Sequence, residues 1–95
     1  MMKIIVYVYA ALADLLGSRM IEITTSAKSI SELINFLSSN YNTLFKETVI
    51  DDHTQELQSG YKILVNGYDT DLLQKLKTGI KEGDVIIFFP PVSGG

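Results

Sequence analysis

The most informative absence in this sequence is cysteine, which does not occur among the 95 residues. Disulfides, thiolate nucleophiles and thiolate metal ligands are therefore excluded, so any sulfur chemistry has to proceed without a side-chain thiol. Histidine occurs once, at His53, within the polar stretch 51–55. Because there is no cysteine or second histidine to complete a metal or catalytic cluster, we expect His53 to be solvated and predict no metal site.

Basic charge and long apolar runs are also scarce. The net charge is −3 and the pI is about 4.9, whereas nucleic-acid-binding proteins usually carry a basic face. No apolar run approaches the length of a membrane span. The apolar start, residues 4–9, has the composition of a strand and lacks the features of a signal peptide. We therefore expect a cytoplasmic protein that binds neither nucleic acid nor membrane.

The patterns along the first part of the chain predict one α+β domain. Residues 3–9 and 18–25 are rich in β-branched and aromatic side chains, which is typical of strands, and a short helical connection between them ends at Gly17. A helix is predicted over residues 29–40, where apolar side chains recur at helical spacing behind a Ser-x-x-Glu capping box. The signal weakens over residues 41–60, where we expect a partly helical segment and then a mobile loop.

The second half of the chain predicts two more strands. Residues 61–65 are one of them, and Asn66-Gly67, directly after it, is the strongest short hairpin signal in the sequence. Residues 69–77 are predicted to make one short helical turn. The five residues Val85–Phe89 are apolar without alternation, which favours the central strand of the sheet.

The segment after this last strand bears most directly on function. Its proline pair cannot donate to a sheet ladder, so we predict that the strand stops at Phe89 and that the folded domain, residues 1–89, is followed by a flexible tail, residues 90–95. The final glycines lack a Cβ, so the end of the chain can enter a slot that excludes other residues. A carboxylate on such an arm can be activated in another protein's active site. The alternative is a frayed end that happens to finish in glycine.

The order of strand, strand, helix, strand, turn, strand and tail is the layout of a β-grasp fold: a mixed sheet of four to five strands with one main helix on one face. The sequence resembles the MoaD/ThiS family of ubiquitin-like sulfur carriers. It resembles the MoaD branch, the small subunit of molybdopterin synthase, more than the thiamine-pathway branch. The matching segments span nearly the whole chain: Tyr9-Ala10-Ala11-Leu12 with Leu15-Leu16-Gly17, Val65-Asn66-Gly67, Glu82-Gly83-Asp84-Val85 and Phe88-Phe89-Pro90-Pro91-Val92-Ser93-Gly94-Gly95.

The resemblance implies that Gly95 is the reacting residue. In this family a ubiquitin-activating-like adenylyltransferase (MoeB-like) uses ATP and magnesium to adenylate the terminal glycine, and the adenylate is converted to a thiocarboxylate. The thiocarboxylate delivers sulfur to precursor Z inside the large synthase subunit (MoaE-like). The rest of the tail would thread into the partner: Pro90, Pro91, Val92, Ser93 and Gly94.

The chain itself has no phosphate-cradling motif and no recognisable pair of nucleophile and base. We therefore expect a carrier and subunit that is not an enzyme by itself and binds no cofactor.

Strand periodicity predicts a partner surface on the sheet. If alternate residues of the first and last strands face the helix, the residues between them lie on the open face. An aromatic patch next to the root of a reactive tail is a plausible protein interface. The alternative is that residues 41–60 fold over this face and bury it. The predicted interface residues are Tyr7, Tyr9, Ile87 and Phe89.

Other functions fit the same tail. A ubiquitin-like protein modifier would be joined through Gly95 to lysines of other proteins, and a sulfur carrier for tRNA thiolation is a close variant. Nothing in the tail separates these from the synthase subunit. A third possibility belongs to another class: a β-grasp interaction domain that binds without covalent chemistry at Gly95.

Overall fold

The computed structural model describes residues 1–91, and within this range the chain forms a mixed five-stranded sheet with helices packed on one face. The strands are β1 (Met2–Val8), β2 (Met20–Thr25), β3 (Lys62–Val65), β4 (Tyr68–Asp69) and β5 (Val85–Phe89), and the helices are α1 (Ala11–Leu16), α2 (Ile30–Asn40) and α3 (Leu44–Val49). The strand order is β2-β1-β5-β3-β4. Strands β1 and β5 run parallel at the centre, and their outer neighbours pair antiparallel. The predicted β-grasp layout is confirmed.

The alternation of β1 follows from its position between two other strands. Ile4, Val6 and Val8 are completely buried under the helices, as predicted. Ile5 and Tyr7 lie on the opposite face and are half-buried. Both sets are apolar: the first builds the core, and the second lies beside the half-buried apolar residues Val85 and Ile87 of β5.

The main helix begins at the predicted cap. The Ser29 side chain accepts a hydrogen bond from the Glu32 amide at 3.2 Å, and Glu32 Oε1 accepts one from the Lys28 amide at 3.1 Å. Two of the amides that have no helical partner are thereby satisfied. The apolar stripe of α2 then lies fully in the core: Ile30, Leu33, Ile34 and Leu37.

The hairpin between β3 and β4 has the predicted turn. Asn66 and Gly67 both adopt positive φ, 52° and 88°, which is the conformation of a type I′ turn. The Asn66 side chain also ties this hairpin to the start of β5: its Nδ2 donates to Asp84 Oδ1 at 2.9 Å and its Oδ1 accepts from the Val85 amide at 2.9 Å. The turn residues therefore fix the register of the central strand as well as the hairpin.

Residues 41–60 are partly helical, as predicted. Helix α3 inserts Phe45 and Val49 into the core, and the following loop is closed by a bridge between Ile50 and Leu57. The ring of Phe45 meets the ring of Phe88 edge-on, with centroids 5.3 Å apart. The segment therefore packs on the helical face of the sheet and leaves the open face uncovered by this part of the chain.

The region 69–77 departs from the sequence prediction. One helical turn was expected, but the chain makes two separate 3-10 turns, Thr70–Leu72 and Lys75–Lys77. Leu72 is 85% exposed, whereas Leu76 packs against the core. The backbone is interrupted at Lys75, which has a positive φ of 52°, so a continuous helix cannot pass through it.

Candidate functional site

The root of the tail lies at the end of the central strand. Strand β5 ends at Phe89, as predicted, and the proline pair follows directly. Proline lacks the amide hydrogen that a ladder needs, so the strand cannot continue through Pro90 and Pro91. Pro90 is half-buried and Pro91 is exposed. The other tail residues of the sequence prediction lie outside the described part of the chain: Val92, Ser93, Gly94 and Gly95.

An aromatic pair stands at this root. The rings of Tyr9 and Phe89 stack with centroids 5.4 Å apart and planes 11° from parallel. Tyr9 is 38% exposed and Phe89 is 37% exposed, so the outer surface of the pair contacts solvent. Two large rings held against each other form a rigid apolar surface beside the tail, of the kind that anchors protein partners.

The other two predicted interface residues continue this surface. Tyr7 and Ile87 are directly opposite each other in the β1–β5 ladder, and both are half-buried on the open face. The structure therefore brings together all four residues of the predicted surface. We call these residues the open-face patch: Tyr7, Tyr9, Ile87 and Phe89.

Two neighbours of the open-face patch were not found from the sequence. Met20, which is opposite Tyr7 on β2, is 47% exposed. Leu64 is opposite Ile87 on β3 and is half-buried. Strand alternation places each residue on a face, but their adjacency to the patch requires the strand order and the registers.

A charged group borders the open-face patch at β3. Lys62 is opposite Phe89, and its Nζ lies 2.8 Å from Asp71 Oδ2 and 3.1 Å from Asp69 Oδ2. Hydrogen bonds to Asp71 and then Asp69 raise the pKa of Lys62. The pKa of Asp69 is lowered, first by the hydrogen bond that its carboxylate accepts from the Asp71 amide and then by the hydrogen bond from Lys62. The three side chains are substantially solvated, so this group shapes the polar rim and adds little stability.

Possible metal ligands do not cluster in the part of the chain that the structure describes. Residues 1–91 contain no group of three or more histidine, aspartate or glutamate side chains placed to hold a metal ion. His53 is exposed, as expected, and its backbone amide donates to Asp51 Oδ1 at 2.8 Å. Over the same part of the chain, every helix is too short or too polar to cross a membrane.

Comparisons with solved structures agree with this fold. Small archaeal modifier protein 1 (SAMP1) from Methanosarcina acetivorans is 28% identical, with a TM-score of 0.77 over 100% of this chain and 98% of that chain. A Pyrococcus furiosus protein assigned as molybdopterin converting factor, subunit 1, is 26% identical, with a TM-score of 0.71 over 97% and 100%. The BexX/CysO complex of Amycolatopsis orientalis, at 20% identity, a TM-score of 0.82 and coverage of 97% and 99%, supports the fold alone.

Comparison by sequence gives the family. No curated protein matches the chain significantly. The model of the ThiS family, however, matches residues 6–95, which include the open-face patch, the proline pair and the terminal glycines. Since this match covers nearly the whole sequence, the chain belongs to the ThiS family of ubiquitin-like sulfur carriers.

Proposed function

We propose that this protein is the sulfur-carrying small subunit of molybdopterin synthase. The observation that supports the proposal most is the arrangement at the end of β5: the central strand stops at Phe89 beside the stacked ring of Tyr9. The proline pair and the segment ending in Gly94-Gly95 follow at once. An apolar docking surface and a reactive carboxylate are thus only a few residues apart in one chain.

The proposed reaction takes place at the carboxyl carbon of Gly95. One carboxylate oxygen attacks the α-phosphate of ATP bound with magnesium at a partner adenylyltransferase, and pyrophosphate leaves. Hydrosulfide released by a sulfur donor then attacks the carboxyl carbon, AMP leaves, and a thiocarboxylate remains. The thiocarboxylate sulfur then bonds to precursor Z in the large synthase subunit, and water cleaves the bond between this sulfur and the Gly95 carbonyl carbon, so that the sulfur stays on precursor Z and the Gly95 carboxylate is regenerated. Because the chain has no cysteine, it carries the sulfur on its own main-chain end, and both partners supply the catalytic groups.

The open-face patch is the proposed docking surface for these partners. Its rings are partly exposed, and residues 41–60 pack on the other face of the sheet, through Phe45 against Phe88. Solvated groups border it, among them Lys62 with its two aspartates. An apolar centre with a polar rim is the usual composition of a protein interface.

A second candidate function is protein modification. SAMP1 from Haloferax volcanii and small archaeal modifier protein 1 (SAMP1) from Methanosarcina acetivorans are 26% and 28% identical to this chain. A modifier would use the same adenylate at Gly95 but would transfer the acyl group to a lysine amine. A carrier for tRNA thiolation would use the same thiocarboxylate with a different acceptor. These functions differ in the acceptor and not in the activation.

The test is therefore a reconstitution that follows the acceptor. The chain is incubated with its adenylyltransferase, magnesium, ATP and a sulfur donor, and then with the large synthase subunit and precursor Z. Formation of the dithiolene product supports the synthase subunit. A chain lacking Gly94 and Gly95 is the control and has to be inactive, because a non-covalent interaction domain would act equally well without them.

The outcomes separate the candidates. A thiocarboxylate that forms but does not yield product with precursor Z would overturn the synthase assignment and leave a carrier for another acceptor. Isopeptide bonds from Gly95 to lysines would identify a modifier. Full function without the terminal glycines would leave the interaction domain.

A further inference from the structure

The start of the tail is pressed against a glycine of the loop before β3. A Cβ added to Gly60 would lie 2.9 Å from the Cβ of Pro91 and 3.1 Å from its Cγ. Both distances are shorter than carbon atoms tolerate without a shift, so any side chain at this position would displace Pro91 or the loop. Gly60 also adopts a φ of +89°, which favours glycine independently of the contact.

The contact follows from the register of β3 and β5. In their antiparallel ladder Lys62 is opposite Phe89 and Ile63 is opposite Phe88. Continuing this register by two positions sets Gly60 opposite Pro91. The two prolines end the hydrogen-bonded ladder because they have no amide hydrogen. The chain nevertheless stays alongside β3, because the partner position has no side chain to push it away.

The loop that carries Gly60 is attached to the core. The Gln58 amide donates to the Val49 carbonyl at 2.8 Å, and the Tyr61 amide donates to the Gln58 carbonyl at 3.1 Å. Val49 is fully buried. Gly60 is therefore fixed relative to the body of the protein on both sides, and it can act as a seat for the residue that rests on it.

We infer that Gly60 is a positioning residue for the tail: it seats Pro91 and so sets the direction in which the tail leaves the sheet toward the partner. The inference rests on the proposed function for its consequence in activation, whereas the contact itself is tested without it. Only three residues lie between Pro91 and Gly95. A shift of Pro91 therefore moves the starting point of a short arm that has to enter the partner's site, and the free energy needed to bring the arm back into position is lost from the binding of the carrier.

The test compares two substitutions that share backbone strain and differ in the contact. Gly60→Ala adds a methyl group against Pro91. Gly67→Ala adds one at nearly the same φ, +88°, where nothing lies within 4 Å. The wild-type chain should show a nuclear Overhauser effect between the Gly60 Hα and the Pro91 ring. In Gly60→Ala the backbone amide chemical shifts of residues 92–95 should change. In Gly67→Ala these chemical shifts should match those of the wild-type chain.

Activation is then measured by ATP–pyrophosphate exchange with the adenylyltransferase that activates the wild-type chain. We expect Gly60→Ala to raise the KM for the carrier by about tenfold, the order that one overpacked methyl group produces, with a smaller change in kcat. Gly67→Ala should keep the wild-type KM even if its melting temperature falls as much. If reduced folding alone lowered the rate of ATP–pyrophosphate exchange, the rate would fall equally in both variants.

A double variant isolates the collision. Pro91→Gly removes the Cβ and Cγ that Gly60 faces, and the double variant with Gly60→Ala should have the same KM as Pro91→Gly alone, because the added methyl group then meets no ring. If Gly60→Ala does not fold, Pro91→Gly tests the seat from the tail side and is expected to raise the KM by a smaller factor.

Each contrary result is informative. Absence of the wild-type Overhauser effect, or equal KM values for Gly60→Ala and Gly67→Ala, would overturn the inference. Failure of the wild-type chain to support exchange with any adenylyltransferase would overturn the proposed function and with it the role of Gly60 in activation. The shift comparison would still decide whether Gly60 seats Pro91.

Discussion

Phe88 and Phe89 are adjacent residues of the same type, yet their side chains lie on opposite faces of the sheet. Phe88 is fully buried and meets Phe45 edge-on in the core, whereas Phe89 is 37% exposed and stacks on Tyr9. Strand geometry alone separates them, because successive side chains point to opposite faces of a sheet. One face of the sheet stabilises the fold, and the other presents the same kind of side chain to solvent.

The difference shows that apolar character is not evidence of a core position in this chain. The helical face is closed by α2 and α3, whose apolar side chains fill it. The open face keeps its apolar residues although the described chain does not cover them. Partly exposed aromatic side chains at the root of the tail fit the proposed partner surface. If the two faces have these different roles, substitutions on the helical face should lower stability and substitutions on the open face should weaken partner binding.

The largest effect on stability is expected at the helical face. Phe88→Ala removes a completely buried ring from contact with Phe45, so the free energy of unfolding should fall by about 3–5 kcal/mol. Urea unfolding followed by circular dichroism measures it. A loss of less than about 1 kcal/mol would mean that Phe88 contributes little to the core and would remove the distinction between the faces.

The next effect concerns the terminal glycine, Gly95, which lies beyond the described residues. Gly95→Ala adds a methyl group next to the reacting carboxyl, and we expect the rate of adenylation to fall by about a hundredfold, because small displacements at a reacting centre are costly. The melting temperature should be unchanged, since chain ends contribute little stability. Ser93→Ala is the matched control, a tail substitution that adds no bulk, and it should react much faster than Gly95→Ala. Equal rates for the two variants would contradict a reacting Gly95.

A smaller effect is expected at the open face. Phe89→Ala should weaken binding of the large synthase subunit by about tenfold or more while it lowers the free energy of unfolding by about 1–2 kcal/mol. Tyr41→Ala provides the control, because Tyr41 is 43% exposed at the C-terminal end of α2. Calorimetric titration and urea unfolding of both variants give the two quantities. If Phe89→Ala lost as much stability as Phe88→Ala, the open face would be a second core.

The smallest effect is expected at the charged rim. The pKa of Asp69 is lowered in the folded protein, so its interactions contribute stability above the pKa of the unfolded chain, near 3.8. This contribution is lost as the pH falls through the lower, folded-state pKa. Lys62→Met should therefore lower the melting temperature slightly at pH 7, and the difference from wild type should vanish under strongly acid conditions. A difference that persists there would arise from packing of the lysine stem and not from charge.

The raised pKa of Lys62 makes stability depend on pH in the alkaline range. Hydrogen bonds to Asp71 and Asp69 favour the charged ammonium, so this contribution is fully present below the pKa of the unfolded chain, 10.5, and is lost as the pH rises through the higher, folded-state pKa. The difference in melting temperature between wild type and Lys62→Met should therefore be constant at pH values between the titration of Asp69 and the titration of Lys62. The side chains are solvated, so the whole effect stays small and is screened by salt.

Much of the fold was accessible from the sequence because its local signals agree with one another. The cap at Ser29, the left-handed turn at Asn66-Gly67 and the end of β5 before the prolines are determined by the chemistry of a few residues each. These signals fix element types and order, and together they predict the β-grasp layout. The prediction of a single helical turn over residues 69–77 was wrong. It assumed that Leu72 and Leu73 are buried and anchor a helix, whereas both are exposed.

The candidate site was predictable only in part. Alternation along single strands put Tyr7, Tyr9, Ile87 and Phe89 on one face, and the structure brings them together. The seat at Gly60 could not be predicted in this way, because it depends on the register between strands that are far apart in the sequence. Such long-range pairing is set by the packing of the whole sheet.

We propose above all that the chain carries sulfur on the carboxyl carbon of Gly95. The most direct test of this proposal is the intact mass of the protein isolated from cells, with the C-terminal peptide mapped by fragmentation, before and after incubation with ATP, the adenylyltransferase and a sulfur donor. The proposal predicts that one oxygen of the Gly95 carboxylate is replaced by one sulfur. An unaltered carboxylate under both conditions would contradict it.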